Sequence, residues 1–80
     1  MYLLFVFRDF YPKGGAEDLA GMAMSKTDAM AQFTHGDFGK IDKDQLRANI
    51  YDIVGGRIVA HYSDGKWFTP KEYREYREEY

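Results

Sequence analysis

The chain has 80 residues, a formal net charge of −2, no cysteine, and a heavy aromatic load of Trp 1, Tyr 7 and Phe 6. That length is a single domain, residues 1–80, which buries only about 60% of its unfolded surface, so large rings must supply the area a small core lacks. The composition excludes disulfides and thiolate metal sites, and 11 basic against 13 acidic residues gives no general pull toward long nucleic acid or anionic membrane.

The longest apolar run, Tyr2-Leu3-Leu4-Phe5-Val6-Phe7, is far shorter than the roughly 20 residues that span a bilayer. It has no basic leader and no small-residue cleavage site, so the expectation is a soluble cytoplasmic protein, in the host-cell cytoplasm if a phage encodes it. The same run predicts a central strand buried on both faces. Tyr11-Pro12-Lys13-Gly14-Gly15 breaks it, since Pro12 lacks a donor and the glycines permit positive φ. Asp18 to Met24 predicts a second strand antiparallel to the first, with Gly21 inside it.

Ser25 followed by Asp28 resembles a capping box and opens a helix whose apolar side is Ala29, Met30 and Phe33, ending near Thr34. His35 to Leu46 is polar and turn-rich and reads as a loop, with a short helical turn near Lys43 to Leu46. Asn49 to Val54 and Arg57 to Tyr62 flank Gly55-Gly56 and predict a hairpin with a two-residue turn. Counting outward pairs Val54 with Arg57, Ile53 with Ile58, Tyr51 with Ala60 and Asn49 with Tyr62. Ile50, Asp52, Val59 and His61 then share the opposite face. Ser63 to Lys66 is a turn, and Trp67-Phe68 reads as a hydrophobic staple before a last helix. Thr69 caps that helix, Pro70 takes its first position and Glu72 completes a capping box. Its stripe of Tyr73, Tyr76 and Tyr80 either packs on its own sheet or forms the seam of a dimer. The order β-β-α-β-β-α predicts an α+β fold, an antiparallel sheet of about four strands with a helix on one face and a C-terminal helix.

Little here carries catalysis. Ser25 and Ser63 read as cap and turn residues outside any nucleophile elbow. His35 and His61 are isolated, and Asp42-x-Asp44 lacks the remaining ligands of a calcium loop, so neither a metal nor another cofactor is expected. His61 with Asp52 is the one acid-base pairing the predicted hairpin face offers. The best candidate site is the bend after the first strand. Gly14 and Gly15 let backbone N–H groups approach an anion, Arg8 and Lys13 add positive charge, and Tyr11 stacks on a base, with Trp67 as a second stacking ring. A proline followed by two glycines is equally an ordinary strand connection.

The pattern Phe5, Phe7, Phe10, Tyr11, Pro12, Gly14, Gly15, Asp18, Gly21 and Ala29, with Ile50 to Val54 and Arg57 to Val59 later on, resembles small uncharacterised α+β proteins of phages and bacteria. Those carry an aromatic-Tyr-Pro-x-Gly-Gly segment after the first strand. Arg8 departs from the pattern, where an acid is expected. The resemblance implies a phage origin and transfers no catalytic residues. The function expected is non-enzymatic binding: a host-defence antagonist that sequesters a small nucleotide signal in a homo-oligomer. The alternative is a protein–protein inhibitor of the anti-CRISPR kind that occupies a host effector.

Overall fold

The computed structural model describes residues 1–8, 18–36 and 45–78, with the backbone alone at Arg8. The elements are β1 (Tyr2–Arg8), β2 (Leu19–Ala23), α1 (Lys26–His35), β3 (Leu46–Asp52), β4 (Arg57–Ser63), β5 (Lys66–Phe68) and α2 (Pro70–Glu78). The strands make one sheet in the order β2-β1-β3-β4-β5, antiparallel throughout. The apolar β1 therefore lies inside the sheet, and α1 carries the chain over one face from β2 to the far side of β1.

α1 covers the face formed by Leu4, Ala48, Ile50 and Ala60, and its own Ala29 and Phe33 are buried against it. Small residues at 48 and 60 leave room for the Phe33 ring, which meets Tyr62 at 4.4 Å and Trp67 at 5.6 Å between centroids. Burying one such ring is worth about 1.5–3 kcal/mol, a large share of what an 80-residue domain has to spare. The helix starts as its sequence predicts, with Ser25 Oγ accepting the Asp28 N–H at 3.0 Å. Gly21 serves this packing directly. Gln32 lies where a Cβ at 21 would stand, and its side-chain amide donates to the Met22 carbonyl at 2.7 Å.

Several expectations are corrected. The sheet has five strands, because Lys66–Phe68 pairs with Ser63–His61 and is more than a lead-in to the last helix. Asp64 (φ 50°) and Gly65 (φ 81°) both take the left-handed conformation that a tight two-residue hairpin needs, so Asp-Gly makes this turn. The Gly55-Gly56 turn is longer than two residues. Asp52 pairs with Arg57, and Asp52 Oδ1 accepts the Val54 N–H at 3.1 Å while the Gly56 N–H donates to the Asp52 carbonyl at 2.8 Å. Tyr51 then faces Ile58, a bulge follows at Val59, and Ile50 faces Ala60. The predicted partners of Tyr51, Ile53 and Asn49 are all displaced. Asp52 and His61, predicted to share a face, lie on opposite faces.

Leu46 belongs to β3, where it is buried and pairs with Arg8, and not to the preceding loop. The predicted loop itself falls mostly on residues 37–44, outside those described. β1 is buried through Leu4 on the α1 side, while Leu3 and Phe5 on the other side are only half-buried, and among the described elements α2 reaches only part of that face. Tyr73 and Tyr76 of α2 pack on their own sheet: Tyr73 stacks on His61 at 4.3 Å and Tyr76 meets Phe68 at 4.8 Å. Tyr80 lies outside the described residues. Among those residues no helix is long and apolar enough to cross a membrane.

Candidate functional site

Of the residues the sequence marks for a ligand, Tyr11, Lys13, Gly14 and Gly15 lie outside the described residues, as do Phe10, Pro12 and Asp42-x-Asp44. Arg8 ends β1, and its backbone pairs with Leu46. Trp67 lies toward the same end of the sheet, in the cross-strand row Val6, Ala48, Tyr62, Trp67. Its half-buried ring contacts Tyr62 at 5.2 Å and Phe33 at 5.6 Å on the α1 side. The staple of α2 is made by its neighbour: Phe68 meets Tyr73 at 5.9 Å on the opposite face.

That opposite face holds a histidine whose titration the fold shifts. His61 Nδ1–H donates to Asn49 Oδ1 at 2.9 Å, and the imidazole is sandwiched against Tyr73. Burial, then Arg47 and Arg77, hold its pKa below the ordinary 6.5. Arg47 is itself engaged: it donates to the Tyr73 hydroxyl and lies over the Phe7 ring at 5.6 Å. This cluster anchors α2 by charge-assisted and ring contacts. Because Asp52 lies on the opposite face, the acid-base pair of His61 with Asp52 does not form. Among the described residues no three His, Asp or Glu side chains come together as metal ligands.

The concave feature lies at the other end of the sheet, on the α1 side. Tyr2 pairs with Asp52, and Asp52 with Arg57, so β1, β3 and β4 end in one row beneath Lys26 at the start of α1. The start of α2 at Thr69 and Pro70 closes one side, and Val59 forms an apolar wall. Together they line an open groove of about 670 Å³, within the roughly 300–1,000 Å³ typical of small-molecule sites. Among the described residues no ion pair or ring contact engages Lys26 or Arg57, whereas Arg47, Lys66 and Arg77 all lie over aromatic rings. The Asp52 carboxylate accepts the Val54 N–H through Oδ1 and brings a negative charge to the groove beside its cross-strand partner Arg57. Both helices start here, and Ser25 and Thr69 each cap one first-turn amide, that of Asp28 at 3.0 Å and that of Glu72 at 3.2 Å. The positive charge that would attract an anion comes from Lys26 and Arg57.

These lining residues are far apart in the sequence and form no motif. Tyr2, Lys26 and Arg57 become neighbours only through strand order and helix placement, so no local signal could have found them.

Comparison with known proteins places the chain. No curated protein and no solved structure matches it. Residues 2–62, from the start of β1 nearly to the end of β4, match the model of a phage family. On that match, which spans most of the sheet and all of α1, the chain belongs to the Bacteriophage T4 protein Y07C family.

Proposed function

We propose that this small phage protein is a non-enzymatic binding protein that holds an anionic small molecule of the nucleotide class in the groove between α1, the β3–β4 end of the sheet and the start of α2. The observation that carries the reading is the pair of unengaged cations, Lys26 and Arg57, facing a ligand-sized groove that also offers the Tyr2 ring and the Val59 and Pro70 surfaces. Cations and a ring lining one groove suit phosphate and base of one nucleotide. In a phage protein, retention of such a molecule without turnover removes a host signal, which is antagonism of host defence by sequestration.

Thermal shift with a panel of linear and cyclic mono- and dinucleotides tests this. A ligand at about 100-fold its Kd stabilises the native state by ~2.7 kcal/mol, and mass spectrometry returns it intact. The Lys26→Glu, Arg57→Glu double variant abolishes the shift while keeping its unliganded melting temperature. No shift with any nucleotide at millimolar concentration overturns the reading, and so does a shift that the double variant retains.

A further inference from the structure

Among the described residues, the sheet face opposite α1 is covered over one half only. α2 packs on β4 and β5 and reaches β3 through Tyr73 and Arg47. Over β2, β1 and the hairpin end of β3 nothing among the described residues lies on the sheet. The pairing sets two rows there: Met22, Leu3, Tyr51, Ile58, and Leu19, Phe5, Asn49. Apart from Asn49 and the Tyr51 hydroxyl these are apolar, and none is charged. Met22 is 58% exposed and Leu19 42%, with Met1 and Ile53 exposed at the rim. A contiguous patch of this kind marks an interaction surface, where single exposed apolar residues would not.

We propose that two copies of this chain pair face to face through this uncovered half of the sheet, about a two-fold axis near Leu3 and Phe5. The patch is self-complementary. Without charges it gives a dissimilar partner nothing to read, while the same surface on a second copy matches it in polarity, as an isologous contact requires. The size is adequate. At about 3.3 Å per residue and ~4.8 Å between strands, three strands present roughly 20 Å by 10 Å of backbone. With the relief of long side chains this is on the order of 500 Å² per copy, and the roughly 1,000 Å² buried by two copies reaches the lower bound of specific interfaces. An 80-residue domain with a thin core gains most from such burial. Of the residues lining the groove only Ile58 also belongs to the patch, and Lys26 and Arg57 lie outside it, so the pairing is tested separately from the ligand reading.

Light scattering during size-exclusion chromatography, from about 10 to 200 μM, tests it. The expected mass is twice 9.3 kDa. The Leu19→Lys, Met22→Lys double variant, altered only at exposed positions, runs as a monomer with an unchanged circular dichroism spectrum, its dimer dissociation constant raised at least about 100-fold. The chain has no cysteine, which makes cross-linking clean. Met22→Cys cross-links two copies through a bis-maleimide that spans roughly the 10 Å between packed sheets, and Thr27→Cys, on the exposed side of α1, does not. A monomeric wild type at 200 μM, a dimer that survives the double lysine variant, or equal cross-linking from both cysteines each overturns the proposal.

Discussion

The two faces of the sheet are built from equally apolar strands and end differently. On the α1 side, alanines at 29, 48 and 60 let the helix come close, and Leu4, Phe33 and Ile50 lose essentially all contact with solvent. On the α2 side the residues are larger and mostly aromatic, and the helix sits on them through rings. No residue of α2 is buried. Small residues under a helix permit interdigitation and dense packing, whereas rings on rings hold a helix at a distance and at specific points. The α1 face is thus the stability core. The α2 face is a set of discrete attachments, with surface beside them that no other described residue covers.

Four measurements break or sharpen that contrast. Phe33→Ala removes the ring that fills the α1 side, so it costs about 3–5 kcal/mol, read as loss of the cooperative urea transition or a collapse of its midpoint. A cost near 1 kcal/mol would mean the α1 side is not the core. Tyr73→Ala removes the stack on His61, the contact with Phe68 and the acceptor of Arg47 together, so it costs roughly 2 kcal/mol. In that variant the amides of α2 lose hydrogen-exchange protection while those of α1 keep it. Equal loss in both helices would show one cooperative unit instead of a core with an attachment.

Thr69→Ala removes the hydroxyl that accepts the Glu72 N–H at 3.2 Å, and costs about 1 kcal/mol in thermal melts. The Thr69 N–H bond to Glu72 Oε1 at 2.9 Å uses the backbone and remains, so a loss of several kcal/mol would show that the cap holds more than its own helix. The smallest effect is the pH dependence at His61. Its folded pKa lies below 6.5, so the unfolded chain binds more protons in the window between the two values. The stability contributed by the neutral ring is complete above 6.5 and is lost as pH falls from there through the folded value. Melting temperature therefore drops on acidification across that window, and His61→Gln flattens the drop. An unchanged slope in the variant would remove His61 from the account.

Much of the fold was legible because its signals are local. Ser25 and Thr69 cap with their own side chains, Pro70 can only begin a helix, and six apolar residues in a row from Tyr2 suit only an interior strand. The hairpin register was not legible, since Gly55-Gly56 reads as a two-residue turn until Asp52 folds back to accept the Val54 N–H and lengthens it. That one side chain, with the bulge at Val59, moved Ile50 into the core and His61 to the other face. The candidate site was less legible still. The Gly14-Gly15 bend, which glycines beside a lysine mark as a contiguous pattern, lies outside the described residues, while the groove is assembled from Tyr2, Lys26 and Arg57, which share no pattern at all.

By itself the sequence determined where helices start, where the chain turns and that the first strand lies inside the sheet, because capping, proline geometry and apolar runs act over a few residues. Tertiary structure alone decided which residues face each other across strands, which half of a face α2 covers and which cations meet at a groove. Those outcomes depend on register and on helix placement, and a shift of one residue in either reassigns every side chain it touches.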